Sequence, residues 1–179
     1  IDADAKMLEV ARKRLEEASG SFRLIHDNFR NIDGIAKNAD FKDVDGVLFD
    51  LGVSNIHLTS DNRGFSFSNP EAELDMRLDS KTQGLKASDL LNSLREDHLI
   101  ALFGKVLKFS EARYLAKRVV QEREKKHIQT VGDFLRVVMG LTTKKSLHPA
   151  TLPFLALRIA VNSELENLNE VLPKAFSLL

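Results

Sequence analysis

The sequence contains no cysteine, no tryptophan, one tyrosine, four prolines and nine glycines in 179 residues. Without cysteine there is no disulfide framework, no thiolate ligand for zinc and no thiol nucleophile. The glycines stand apart, with no Gly-x-Gly pair anywhere, so the phosphate-cradling loop of many nucleotide-binding folds has no counterpart here. No run approaches the ~18 apolar residues of a membrane helix, and no apolar segment opens the chain. A soluble, cytoplasmic protein without a membrane partner is the expectation. His26, His98 and His127 show no metal-ligand spacing, and no Ser-His-Asp arrangement is legible. No metal is expected.

What is present points to a folded protein. Hydrophobic residues make up 43% and charged residues 29%, which excludes a disordered chain, and the length allows one good core or two small ones. The 26 basic and 26 acidic side chains cancel, but not locally. Residues 83–148 hold 13 Lys/Arg against 7 Asp/Glu, and the remainder holds 13 against 19. Such a dipolar chain can present a basic surface to a polyanion despite zero net charge, although a solvated Lys-rich helical face fits the same count.

The pattern changes along the chain. Met7, Leu8, Ala11 and Leu15 follow helical spacing from Ala5, and Phe22-Arg23-Leu24-Ile25-His26 alternates like a short strand. A helix over 31–38 leads to Val47-Leu48-Phe49, the kind of run a strand buried on both faces requires. Helix, strand, helix, strand at these spacings predicts α/β with a parallel sheet. Residues 52–82 have no sustained period, and so long a loop in a compact domain marks a binding segment. Beyond Gly84 the reading is all-helical, with helices near 87–94, 97–103 and 110–125. Another is capped by Thr130 and Asp133, and a long amphipathic one starts at Leu152 and is bent or ended by Pro173. The partition expected is a discontinuous α/β domain, 1–82 with 149–179, interrupted by a helical insertion, 83–148.

Three groups of residues can carry chemistry. Asp2 and Asp4 stand where a strand gives way to a helix; Asp4 suits an N-cap, and Asp2 can accept from ribose hydroxyls. Asp50 ends the 47–51 strand, beyond whose carboxyl end a ligand binds in open α/β sheets; Gly52 lets backbone approach a ligand, and Ser54 adds an acceptor. Acceptors of this kind can localise the lone pair of an exocyclic base amine, while an Asx turn explains Asp50 equally. Arg63-Gly64-Phe65-Ser66-Phe67 pairs a cation with two aromatics suited to phosphate and base, Leu74-Asp75-Met76-Arg77 adds a charge pair, and the two phenylalanines can equally pin the loop to a core.

Taken in order, these segments resemble the small-subunit ribosomal RNA cytosine-N4 methyltransferase family. The resemblance is carried by Asp2-Ala3-Asp4, His26-Asp27-Asn28-Phe29, Asp50-Leu51-Gly52-Val53-Ser54, Arg63-Gly64-Phe65-Ser66-Phe67, Leu74-Asp75-Met76-Arg77, His148-Pro149-Ala150-Thr151 and Val161-Asn162-Ser163-Glu164-Leu165. It implies a partial class I, Rossmann-like methyltransferase sheet with an inserted all-helical substrate domain. It also implies S-adenosylmethionine as cofactor, and as reaction the methylation of a cytidine N4 amine in 16S rRNA of the bacterial small ribosomal subunit. By the same resemblance Asp2 falls on the cofactor ribose, Phe29 near its adenine and Asp50 on a further cofactor contact. His57 stands at a cofactor position usually held by Gln.

Asp50 and Ser54 are the catalytic candidates. Substrate contacts are expected from Arg63, Phe65, Phe67, Asp75 and Arg77 in the loop, and from Lys117, Arg118, Lys144 and Lys145 in the basic insertion. His148, Arg158 and Asn162 complete them. Family members begin with a strand and a Gly-rich loop ending Gly-Gly-His, and end beyond the last helix in a Ser-Leu-Glu-Asp region; neither is in this sequence. The chain therefore reads as a fragment lacking both ends, expected to bind the cofactor weakly and to be inactive by itself. Two rivals remain at this point: a non-catalytic RNA-binding or ribosome-assembly protein, and a class I methyltransferase with another substrate. Nothing in the sequence speaks to the oligomeric state.

Overall fold

Apolar residues repeating every three or four positions form helices, and helices dominate this chain. The computed structural model describes residues 1–17, 20–59, 62–141 and 147–179. The chain divides into two compact units, one of Ile1–Leu51 with Ser163–Leu179 and one of Gly52–Asn162.

The first unit contains α1 (Ala5–Leu15), a 3-10 turn (Phe29–Asn31), α2 (Ile32–Asn38) and α9 (Glu164–Phe176). Asp4 caps α1 as its sequence position predicts, its carboxylate accepting from the Lys6 N–H at 2.9 Å. Arg12, Lys13 and Arg14 occupy the last turn, where positive charge complements the helix dipole. The predicted inner face of α1, including Met7, Leu8 and Leu15, is half-buried. The small core consists of Ile32, Val171 and Ala175, with Phe29, Val47, Phe49, Leu168 and Leu178 packed against it. Pro173 lies inside α9 and does not end it. Proline removes one N–H and crowds the preceding turn, yet this helix continues to Phe176 and closes with the Ser177 N–H on the Pro173 carbonyl.

Two sequence expectations change in this unit. Among the described residues the predicted strands 22–26 and 47–51 form no ladder; the one parallel pairing is an isolated bridge between Asp2 and His26. A strand requires a neighbour along its length. Among the described residues, segment 44–51 has a single backbone bond to a distant residue, from the Val44 N–H to the Leu178 carbonyl, and Leu48 is 92% exposed. The long helix predicted from Leu152 stops at Asn162. Ser163 takes a left-handed conformation, φ 50°, which breaks the hydrogen-bond ladder before α9 begins.

The second unit holds α3 (Asn55–Thr59), α4 (Ala87–Ser93), α5 (Glu96–Gly104), α6 (Phe109–Lys125), α7 (Val131–Val138) and α8 (Thr151–Asn162). On α6, Ala112, Leu115, Ala116 and Val119 recur at helical spacing and are all fully buried. They join a core containing Leu91, Leu99, Phe103, Phe134, Phe154 and Leu157. Phe103 stacks on Phe134 at 6.3 Å, and Phe134 meets Phe154 at 5.4 Å between ring centroids.

α7 starts with the predicted capping box. The Thr130 hydroxyl accepts from the Asp133 N–H at 3.1 Å, and the Asp133 carboxylate accepts from the Thr130 N–H at 3.0 Å. Asp133 also accepts from the Gln129 N–H at 3.0 Å and pairs with Lys126 and Arg136. Burial opposes its ionisation, but these hydrogen bonds and cations outweigh burial and hold its pKa well below the ordinary carboxylate value. Thr130→Ala is expected to lower stability by about 1 kcal/mol in urea denaturation, because one orphan helix N–H loses its partner. An unchanged midpoint would mean that Asp133 carries the cap alone.

Candidate functional site

Within the second unit, the loop between α3 and α4 is far from a loose flap. Phe65, Leu74, Asp75 and Met76 are buried, and backbone hydrogen bonds fix Leu74 to Gln129 and Ser88, Asp75 to Ala87 and Met76 to Arg63. The turn at Gly64 requires glycine: φ is 77°, and a Cβ there would come within 2.5 Å of the Glu73 carbonyl oxygen. The Met76 N–H donates to the Arg63 carbonyl at 2.8 Å, closing the loop on itself. Met76 itself sits at φ 63°, a left-handed conformation that a bulky residue keeps only where its surroundings over-determine it.

Asn162 supplies much of that determination. Its Oδ1 accepts from the Leu78 N–H at 3.1 Å and from the Gln83 side-chain amide at 2.9 Å, while its Nδ2 donates to the carbonyls of Met76 and Arg158, both at 2.9 Å. Arg63 donates from Nη1 to the carbonyls of Arg77 and Leu78 at 3.1 and 3.0 Å, and its guanidinium lies 5.4 Å from the Phe65 ring centroid. Asp75 and Arg77 form a two-pronged pair, Nε to Oδ1 at 2.6 Å and Nη2 to Oδ2 at 2.9 Å, with side chains only 10% and 14% exposed. Burial raises the Asp75 pKa, but hydrogen bonds and the charge of Arg77 more than offset it, leaving the carboxyl below its ordinary range.

Ser54 and His57 are bonded to each other. The Ser54 N–H donates to His57 Nδ1 at 3.0 Å, with the Ser54 hydroxyl 3.1 Å from that nitrogen. A neutral ring that accepts at Nδ1 carries its proton on Nε2. His57 is 3% exposed and its ring packs against Phe65 at 5.1 Å. Phe67 is sandwiched: His148 stacks on it at 4.5 Å with planes 14° apart, and Phe154 meets it edge-on at 5.7 Å. The His148 ring itself remains exposed. Gly52, at φ 121°, has the room its type provides, since a Cβ there would meet only the Arg158 guanidinium, at 3.8 Å; its left-handed backbone rather than a close approach requires glycine.

The remaining candidates stand elsewhere. Asp2, Phe29 and Asp50 belong to the first unit. Asp2 Oδ1 accepts from the Asp4 N–H at 2.7 Å, and the Asp2 backbone exchanges hydrogen bonds with Ile25 and Asp27. Phe29 packs edge-on against Phe49 at 6.1 Å. The Asp50 carboxylate is exposed and has no hydrogen-bond or ion-pair partner among the described residues. Lys117 is exposed on α6, whereas Arg118 donates to the carbonyls of Arg136, in the last turn of α7, and of Met139, just beyond it. Lys144 and Lys145 lie outside the described residues. Among the described residues no cluster of His, Asp or Glu is arranged to hold a metal ion, and no helix is long and apolar enough to cross a membrane.

Sequence reasoning missed Gln83, which accepts from the Asp79 N–H at 2.7 Å and donates to the Val161 carbonyl and to Asn162. No local pattern signals such a residue. In the first unit Phe29 and Phe49 both pack against the small core, and Asp2 Oδ1 is taken by the Asp4 N–H.

Comparison with known proteins bears on the whole chain. A family model described as the MraW methylase family matches residues 1–179. A protein named "Ribosomal RNA small subunit methyltransferase H" from Dictyoglomus thermophilum is 41% identical over 165 residues, 92% of this chain and 55% of the relative. Proteins of the same name from Persephonella marina and Fusobacterium nucleatum are 40% and 37% identical, across 100% of this chain and 61% and 57% of their own lengths. The chain thus spans somewhat more than half the length of the curated relatives it matches.

Proposed function

The chain belongs to the MraW methylase family, and on that premise we propose that its protein transfers a methyl group from S-adenosylmethionine to the N4 amine of a cytidine in the RNA of the small ribosomal subunit. The observation that carries this reading is the family match over the full 179 residues, supported by relatives named for small-subunit ribosomal RNA methylation. A class I methyltransferase follows from the family; the parallel sheet and the 83–148 substrate insertion are part of the proposal.

In this reading Asp2 accepts from the cofactor ribose, Phe29 flanks its adenine, and Asp50 serves the reacting amine. When bound, the cofactor supplies an electrophilic methyl group on sulfur. The protein's task is to make the amine ready for it. The N4 lone pair of cytosine is delocalised into the ring, and a carboxylate accepting an N4–H hydrogen bond draws density back onto nitrogen. With the N–C bond made and the sulfur–methyl bond broken to leave a neutral thioether, the nitrogen would be cationic and would release a proton, for which the Asp50 carboxylate, unpartnered among the described residues, is a suitable acceptor. Most of the rate comes from holding the amine in line, which turns a bimolecular encounter into an effectively unimolecular step.

The ordered loop has its own part. With Arg63, Asp75, Arg77 and Asn162 engaged inside the fold, they serve substrate recognition by keeping the loop in shape. The exposed His148 edge and the basic face of α6 are left for direct contact with RNA.

The test is a labelled-methyl assay of the full-length gene product on assembled small subunits, on free 16S rRNA and on cytidine. Label is expected at cytidine N4 of the ribosomal RNA and absent from the free nucleoside. Label on a different base, or transfer to cytidine alone, would replace the substrate assignment with that of another class I methyltransferase. No transfer to any of the three would favour the non-catalytic RNA-binding reading.

A further inference from the structure

Tyr114 is the single tyrosine of a chain without tryptophan, and it stands on the outer side of α6, 45% exposed. Because Ala112, Leu115, Ala116 and Val119 take the buried side of this helix, Arg113, Tyr114 and Lys117 fall together on the opposite one. Phe109, one turn earlier, is 70% exposed beside Arg113.

The tyrosine ring is held in place. The Arg118 guanidinium sits 6.0 Å from its centroid and reaches the phenol oxygen at 3.5 Å. Arg118 is in turn fixed by its bonds to the Met139 carbonyl and, at 3.2 Å, to the Arg136 carbonyl. Arg113 and Lys117 have no hydrogen-bond or ion-pair partner among the described residues. From Lys105 to Arg118 there are five basic residues and one acidic residue, Glu111, whose carboxylate is occupied by the Lys108 N–H at 3.0 Å.

We propose that this face of α6 docks single-stranded RNA, one base stacking on Tyr114 while the adjoining phosphates lie on Arg113 and Lys117. The proposal rests on the RNA-substrate reading above and adds a place and a mode of binding to it. A protein-binding patch has a core depleted of charge, whereas here cations surround the ring on its own helix. That charge complements a polyanion, and a flat ring held by a neighbouring guanidinium accepts any base without sequence preference. A duplex presents phosphates but keeps its bases stacked away from such a ring, so the single strand is the form that fits both features.

The absence of tryptophan makes the test direct, because Tyr114 is the dominant emitter of this chain. Titration with a short unstructured oligoribonucleotide is expected to quench tyrosine fluorescence saturably, as stacking on a base does. Tyr114→Ala is expected to weaken binding about tenfold and Tyr114→Phe to restore it to within about twofold, since the ring rather than the hydroxyl stacks. Arg113→Gln with Lys117→Gln should make the slope of log affinity against log salt shallower by about 1.4, the value for two lost single-strand phosphate contacts. Binding without quenching, or wild-type affinity in Tyr114→Ala, overturns the platform and leaves RNA as the substrate. No RNA binding by the unsubstituted chain overturns the platform and the RNA reading together. Affinity lost for assembled subunits but kept for the oligoribonucleotide assigns the face to a ribosomal protein, which also overturns the proposal.

Discussion

Arg77→Met is expected to destabilise the second unit by about 3–5 kcal/mol at neutral pH, the cost of leaving a buried carboxylate without its cation. The partner left behind is Asp75, whose side chain is 10% exposed and bound by the Arg77 guanidinium through two hydrogen bonds and by the Arg77 backbone N–H through a third. Methionine fills similar space, so little of the loss comes from a cavity. The pH dependence separates this cause from a general packing defect. In the native protein the folded-state pKa of Asp75 is lowered, so its contribution is complete above the unfolded pKa and is lost as pH falls through the folded value. Without the guanidinium, only the backbone N–H of residue 77 and the charge of Lys86 still oppose burial, so the folded pKa rises from its native value. The variant should therefore lose less stability than the native protein as the solution is acidified toward pH ~4, so that the deficit between them narrows. Urea denaturation across that range measures both effects. A variant whose deficit is the same at every pH would show that Asp75 is not held ionised by this pair.

Asp50→Asn is expected to slow single-turnover methyl transfer by on the order of 10²-fold, in the range of a lost positioned proton acceptor. Asparagine keeps the shape but replaces one acceptor oxygen with a donor, which opposes the N4–H group it is proposed to meet. The measurement is made in the full-length gene product at two cofactor concentrations. A deficit that persists at saturating S-adenosylmethionine assigns Asp50 to the amine. A deficit abolished by added cofactor confines Asp50 to cofactor binding, and an unchanged rate at both concentrations removes it from the site. Ser54→Ala is a weaker probe, because the Ser54 N–H that holds His57 Nδ1 survives the substitution.

Much of the local structure is legible in the sequence for reasons of short-range physics. Asp4 caps α1, and Thr130 with Asp133 caps α7, since a capping side chain and the amide it serves lie within three residues. The helices near 87–94, 97–103 and 110–125 appear as α4, α5 and α6, because amphipathic spacing records which face is buried. The same logic misleads at Ser163, where the apolar pattern continues but one left-handed residue divides the helix. At 47–51 an apolar run describes a strand that could be buried but names no neighbour to bond with, and among the described residues none pairs with it.

The loop residues mark the other limit. Arg63, Phe65, Asp75, Arg77 and Asn162 stand out in the sequence as types suited to nucleic acid. Asn162, however, bonds to Leu78, Gln83 and Met76 across sequence separations of 84, 79 and 86. A side chain reaching a backbone carbonyl at that distance leaves no period, cap or spacing to read.

Ordered motifs carried the resemblance to the family, periodicity the helices between Ala87 and Val138, and composition the lack of a thiol in this chain. These depend on residue type and near neighbours alone. Which charged side chains are engaged inside the fold and which remain for a ligand was decided only in three dimensions. Hydrogen-bond capacity is finite, and a guanidinium or amide already satisfied by distant backbone has little left to offer RNA, whereas Asp50, Arg113 and Lys117 keep theirs.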